Sequence, residues 1–238
     1  MSLLERSLPL IGKDGEEKLN KSAVIVFGVG GVGSWCAEAL VRSGIGKITV
    51  VDGDVVSETN RNRQAIALCS TVGKKKAIVC ADRLIDINPD CEIDGIDLFY
   101  SAETKDEIDL SQYDFVADCI DTVTSKLILI KEANEKNIPI ISSMGTGNRL
   151  DPSKIVVKDI FKTSGDGLAR VMRKELRARD IQKLTVVCSD EAPGECVEGR
   201  NEETRRATPS SSFFVPATAG IRIAYEIIKS LLEENKNV

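Results

Sequence analysis

Histidine is absent from all 238 residues. That removes serine–histidine and cysteine–histidine nucleophilic catalysis, and histidine-held metals with them. Any catalysis here rests on carboxylates, Lys, Arg, backbone amides or a thiol. The seven cysteines are an odd number with no C-x-x-C pair among them, which is neither a disulfide framework nor a recognisable zinc site. No uncharged apolar run approaches the ~20 residues needed to span a bilayer. Residues 1–10 carry Glu5 and Arg6 where a signal peptide would have an apolar core. A cytoplasmic location with no membrane contact is therefore expected. Aromatic residues make up 4% of the chain, too few for a nucleic-acid surface built on base stacking. The formal charge of −5 speaks against nonspecific coating of nucleic acid and leaves room for a local basic patch.

What is present reads as one α/β unit. Residues 23–27 (AVIVF) form a short apolar run that ends at a glycine cluster, the pattern of a buried parallel strand. Helical spacing follows over 32–43, and 48–51 gives a second buried strand. Residues 74–87 read as a helix that stops before Asn88-Pro89. Further strands are expected over 93–98, 115–120 and 138–142, with helical stretches near Lys105 and over 124–137. Strands alternating with helices mean βαβ units and a mostly parallel sheet. After about residue 150 the rhythm changes. Strands are expected over 155–160 and 184–188 with a basic helix, 168–179, between them, and 190–208 is polar loop. A final helix runs from Pro216 with Ile221, Ala224, Ile228 and Leu231 on one face. The simplest organisation is a single domain over 1–238, with a core at 1–150 and a second half at 151–238 that holds the basic helix and a loop insertion.

Gly28-Val29-Gly30-Gly31-Val32-Gly33 fits G-x-G-x-x-G between a strand and a helix. Glycines there permit a tight turn and close approach of backbone to phosphate, and the helix N-terminus favours the anion. Asp52 ends the second strand, where an acid binds ribose hydroxyls. The loop alone leaves NAD and ATP both open. Beyond it come Asp54, then Asn60-Arg61-Asn62-Arg63-Gln64, then Gly73-Lys74-Lys75-Lys76-Ala77, then Asp118-Cys119-Ile120-Asp121. A nucleoside triphosphate carries more negative charge than a dinucleotide and calls for cations and a metal-holding carboxylate. Arg63 and Lys76 supply the cations, and Asp121 is placed to hold Mg²⁺. Each has a plainer reading. Lys76 sits in a run of three lysines that by itself suggests solvated helix surface, and Asp121 could cap the helix after it.

Taken in order, these segments resemble the superfamily of ThiF, MoeB and the adenylation domain of ubiquitin-activating enzymes. Its pattern is G-x-G-G-x-G, D-x-D-x-V-x-x-x-N-x-x-R-Q, G-x-x-K-A and D-x-x-D. The resemblance implies a Rossmann-like ATP-binding fold with ATP and Mg²⁺ as cofactors. Gly28, Gly30, Gly31, Gly33, Asp52, Asp54, Asn60, Arg63, Gln64 and Lys76 would bind the nucleotide, and Asp121 the magnesium. Arg63, Lys76 and Asp121 would be catalytic, joined by Arg6, which looks like an arginine lent across a homodimer interface.

The zinc-binding C-x-x-C pairs of the sulfur-carrier activators are missing. Gly44-Ile45-Gly46, Asp86-Ile87-Asn88-Pro89, Asp151-Pro152-Ser153-Lys154-Ile155 and Ser210-Ser211-Ser212-Phe213 are instead similar to a zinc-less branch, the tRNA threonylcarbamoyladenosine dehydratases. This likeness implies ATP-dependent cyclising dehydration of N6-threonylcarbamoyladenosine beside the tRNA anticodon. Its threonyl carboxylate is adenylylated, and a nitrogen of the same side chain then displaces AMP. It also admits a cysteine desulfurase or sulfur acceptor as partner. The competing expectations are activation of a sulfur-carrier or ubiquitin-like C-terminus, an NAD-dependent oxidoreductase, and a non-catalytic nucleotide-binding adaptor. Arg170, Arg173, Lys174 and Arg177 share one face of the basic helix and form a candidate tRNA surface, with Arg200, Arg205 and Arg206 as potential additions. Cys188 reads as a packed residue. Cys196, in an acidic loop, has no neighbouring base.

Overall fold

The structure, a computed structural model, describes residues 3–194 and 209–233. Cys196, Arg200, Arg205 and Arg206 lie outside the described residues. Strands β1 (Ala23–Phe27), β2 (Lys47–Val51), β3 (Glu92–Ile96), β4 (Phe115–Asp118), β5 (Ile140–Ser143), β6 (Ile155–Asp159) and β7 (Thr185–Ser189) form one sheet in the order β3-β2-β1-β4-β5-β7-β6. Every pairing is parallel except that of β6 with β7. The helices are α1 (Leu8–Lys21), α2 (Gly33–Arg42), α3 (Lys76–Ile87), α4 (Val123–Glu135), α5 (Gly167–Arg177) and α6 (Phe214–Glu233).

The period-two alternation of β1 shows how the layers form. Val24 and Val26 face a core shared with α2, α3 and α6. Ile25 and Phe27 face the opposite core with Leu129 and Ala133 of α4. A strand covered on both sides must be apolar throughout, which is why AVIVF carries no polar alternation. A third core joins Leu127 and Ile130 of α4 to Ala169, Met172 and Leu176 of α5.

Two expectations need correction. No α-helix forms near Lys105; only 3₁₀ turns at Lys105–Glu107 and Leu110–Gln112 bridge β3 to β4. Side chains there satisfy nearby backbone instead, with Ser101 N–H donating to Thr104 Oγ1 at 2.9 Å and Ser111 N–H to Asp109 Oδ1 at 3.0 Å. Such local bonds compete with a helical ladder. In α6 Ala224 and Leu231 of the expected face are buried, but Ile221 is 53% exposed and the buried face instead takes in Ala219, Ile223 and Ile227. The face is centred beside Gly220, where α6 meets the start of α2 so closely that a Cβ would lie 2.2 Å from the Val32 carbonyl oxygen.

Because β1 is flanked by β2 on one side and β4 on the other, the chain reverses winding direction there. A crevice opens at the carboxyl ends of β1 and β4, the usual ligand position in such a sheet.

Candidate active site

The glycine loop forms the floor of this crevice, and its glycines are sterically required at two points. Gly28 has φ +81°, and a Cβ on it would meet the Cys119 carbonyl oxygen at 2.8 Å. A Cβ on Gly33 would lie 1.8 Å from the Gly28 oxygen. No side chain caps α2, whose N-cap is Val32. Ser34 N–H in its first turn already donates to the Gly30 carbonyl at 3.1 Å, so an anion at this end would meet the remaining first-turn N–H groups. The cavity above holds about 610 Å³ and is lined by Gly28, Gly30, Gly31, Asp52, Asp54, Asn60, Arg63, Gln64, Lys76 and Asp121. Every nucleotide-binding residue expected from the sequence except Gly33 therefore lines one cavity, and Gly33 packs beneath it.

Asp52 is fixed at the end of β2, accepting from Val29 N–H at 2.8 Å and from Asp54 N–H at 2.9 Å. Burial raises its carboxyl above the ordinary range, and Lys76 opposes that shift. Lys76 departs from its neighbours in the lysine run. Lys74 and Lys75 are exposed, but the Lys76 side chain is 9% exposed and its Nζ lies 2.7 Å from Asp54 Oδ2. Backbone register sets this apart, since Lys76 N–H donates to the Asp54 carbonyl at 2.9 Å.

Asn60 uses Oδ1 to hold Ser57 N–H at 3.1 Å, which leaves its amide NH₂ for a ligand. Arg63 donates to the Thr59 carbonyl at 3.0 Å and to Asn62 Oδ1 at 2.9 Å, and burial lowers the pKa of its guanidinium. The Arg63 carbonyl in turn accepts from Trp35 Nε1 at 2.9 Å. Gln64 is buried at 6% exposure, and its Oε1 has no partner within the described residues. A buried acceptor left open at a cavity wall is a place for a ligand donor. Asp121 is exposed at the cavity mouth and does not cap α4, whose N-cap is Thr122 with no side-chain bond.

Arg6 does not join this cavity. Leu4, two residues before it, packs where a Cβ on Gly44 would lie 2.4 Å away. Gly44 follows the far end of α2, and a helix of 10 residues places that end about 15 Å from the glycine loop.

The supports of the site join the first Asp of the D-x-x-D segment to a lysine that the sequence did not single out. Lys126 and Asp118, both 0% exposed, pair at 2.9 Å. Lys126 Nζ also donates to the Ile120 carbonyl at 2.9 Å, and Ser142 Oγ donates to Asp118 at 2.5 Å. This buried knot holds the strand exit that carries Asp121. Leu98, Phe99 and Tyr100 also line the cavity, with Phe99 58% exposed. So do Ser143, Met144, Gly145, Thr146, Gly147 and Leu168. The sequence offered one hint at them, the Gly145-Thr146-Gly147 turn directly after a strand. Cys188 is packed in the third core, and burial pushes its thiol pKa up, as suits a structural residue.

Along α5 the expected basic face is only partly free. Arg173 donates to Thr163 Oγ1, and the Arg177 guanidinium lies 5.1 Å from the Phe161 ring centroid. Arg170 and Lys174 stand exposed. No described helix is long and apolar enough to cross a membrane.

Known proteins resemble this chain in both sequence and fold. A family profile described as ThiF family covers residues 4–238. The tRNA threonylcarbamoyladenosine dehydratase of Bacillus subtilis (strain 168) is 44% identical over 234 residues, spanning 94% of this chain and 92% of that protein. The solved structure of E. coli tRNA N6-threonylcarbamoyladenosine dehydratase with AMP superposes at a TM-score of 0.88 with 32% identity, covering 98% of this chain and 94% of that one. The ATP complex of the same enzyme gives 0.85, again at 32% identity, over 97% and 93%.

Proposed function

The chain belongs to the ThiF family, and from that membership we propose that it is an ATP-dependent tRNA threonylcarbamoyladenosine dehydratase. One observation carries the reading: the likeness to the Bacillus dehydratase spans 94% of this chain and 92% of that protein, so it includes the second half as well as the nucleotide loop. Activators of sulfur-carrier proteins are the alternative. They would share the nucleotide half but act on a protein C-terminus.

The reaction needs a carboxylate oxygen turned into a leaving group. The threonyl carboxylate attacks the α-phosphorus of ATP and releases pyrophosphate. A nucleophile of the same side chain then closes the ring and expels AMP. The protein's task is orientation and charge neutralisation, which requires no histidine. In this reading the α2 N-terminus and the glycine-loop amides hold the phosphates. Asp52 accepts from ribose hydroxyls, and Leu98 with Phe99 covers the purine. Arg63 and Lys76 neutralise the phosphate oxygens, while the Asn60 amide and the open Gln64 oxygen complete the polar contacts. No group of three or more carboxylates or thiols suited to a metal occurs among the described residues. Magnesium needs none, because it binds through one or two carboxylates plus substrate phosphates. Asp121 at the cavity mouth supplies one carboxylate, and magnesium bound there would neutralise developing phosphate charge.

The test is purified protein with ATP and Mg²⁺ on tRNA bearing threonylcarbamoyladenosine, followed by nucleoside mass spectrometry. The modified nucleoside should lose one water, and Asp121→Ala should abolish the Mg²⁺ dependence together with the turnover. Pyrophosphate exchange that appears only with a carrier protein would transfer the assignment to the alternative.

Two partners belong to this proposal. Arg170 and Lys174 are exposed on the helix whose Leu168 lines the cavity, so they are placed to follow tRNA phosphates beside the reacting base. Reversing both charges should raise the KM for tRNA, leave that for ATP alone, and flatten the logarithmic salt dependence of tRNA binding by about two, one per phosphate contact. Equal effects on both substrates would remove this surface from the account. The second partner is another copy of the chain. Arg6 is too far from its own cavity to act there and would serve the neighbouring copy's site.

A further inference from the structure

The cavity has two unlike halves. Among the described residues, every charged side chain lining it lies between residues 52 and 121. The opposite wall, 143–147 together with Leu168, carries no formal charge. Polyphosphate placed there would lack cations, so this wall suits the acyl side of the reaction.

Two of its residues are glycines, and its shape is imposed from behind by Arg149. The Arg149 side chain is 3% exposed and its guanidinium donates in four directions. Nη1 reaches the Gly145 carbonyl at 2.7 Å and the Gly147 carbonyl at 3.3 Å. Nε reaches the Glu191 carbonyl at 3.0 Å, and Nη2 pairs with Asp166 Oδ2 at 3.0 Å. Asp166, equally buried, accepts from Ala169 N–H at 2.6 Å as the N-cap of α5, the helix that carries Leu168 to the cavity. The Arg149 carbonyl accepts from Ser212 Oγ at 3.1 Å, just before α6. One ion pair therefore joins the loop after β5, the exit of β7, the start of α5 and the approach to α6.

We infer that Arg149 and Asp166 are positioning residues for the acyl half of the cavity, holding Gly145, Gly147 and Leu168 so that the carboxylate meets the α-phosphorus in line. The inference rests on the dehydratase reading above. Arg149 acts as a planar fork. A lysine keeps the charge, but its single Nζ cannot span two carbonyls, a third carbonyl and a carboxylate together. The nucleotide half makes none of these contacts.

The experiment uses full-length Arg149→Lys and Asp166→Asn chains. ATP affinity is measured by calorimetry without RNA, and turnover is measured on tRNA bearing threonylcarbamoyladenosine. A wall displaced by about 1 Å costs roughly 10²-fold in rate, so kcat/KM for the tRNA should fall by about that factor while ATP affinity stays at the wild-type value. Turnover at the wild-type level in both variants would overturn the inference. So would ATP affinity falling in step with turnover, which marks a general structural role. If Arg149→Lys does not fold, Asp166→Asn decides alone, since asparagine keeps the size and the helix cap. A wild-type chain that ignores the modified tRNA would sink the dehydratase reading itself, an outcome distinct from a working enzyme that tolerates both variants.

Discussion

Replacing Lys126 by methionine is expected to destabilise the protein by about 3–5 kcal/mol, because it leaves the Asp118 carboxylate as an unpaired charge in the interior. Both partners are wholly buried and 2.9 Å apart, so no water can replace the ammonium. Methionine nearly fills the same volume, and the loss is electrostatic rather than a cavity effect. For a chain of this size each kcal/mol moves the melting temperature by about 2–4 °C, which predicts a drop of roughly 6–20 °C. The double variant Lys126→Met with Asp118→Asn should recover much of the loss. The neutral amide oxygen can still accept from Ser142 Oγ, which now bonds Asp118 at 2.5 Å. Calorimetric melting of the three chains checks this. A single variant that melts with the wild type, or a double no better than the single, would show that the pair carries no such energy.

Lys76→Ala should cut turnover by about 10²–10³-fold, the range found when one preorganised donor to a developing charge is removed. Stability should fall less than in the Lys126 variant, the loss arising at Asp52, whose burial Lys76 offsets. The partner left behind, Asp54, has a side chain 66% exposed and is solvated without its lysine. Single-turnover release of AMP on modified tRNA reads the effect, and activity close to wild type would dismiss Lys76 as a phosphate ligand. The same variant examines the proposed dimer. Mixed with Arg6→Ala, it should restore activity, since a hybrid pair contains one cavity with an intact Lys76 served by an intact Arg6. Failure of the mixture to exceed its components would show that Arg6 is not shared.

Much of the nucleotide half was legible in the residues because its chemistry is local in sequence. The glycine loop needs its glycines at fixed offsets, Asp52 must end a strand, and Arg63 and Gln64 follow one turn after Asn60. The acyl wall was not legible. Arg149 and Asp166 are paired across 17 positions, and each alone reads as a loop charge; only the tertiary fold buries both. Lys126 likewise looks like one more solvated lysine on a helix until the β4 exit closes over it. The connection after β3 was read as helical, yet the side chains of Thr104 and Asp109 bond nearby backbone N–H groups instead. Ile221 was assigned inward because a four-residue stripe fits a helix at more than one rotation. Ala224 and Leu231 of that stripe are buried as expected, and the close approach at Gly220, invisible in the hydrophobic pattern, centres the contact away from Ile221.

The chain contains one tryptophan, and its indole N–H is bonded to the carbonyl of Arg63. Any ligand that draws the Arg63 backbone toward it also changes the polarity around that ring, so the protein carries its own fluorophore next to its nucleotide site. Occupancy can thus be followed by emission in unlabelled enzyme, with no competing indole signal from elsewhere in the fold.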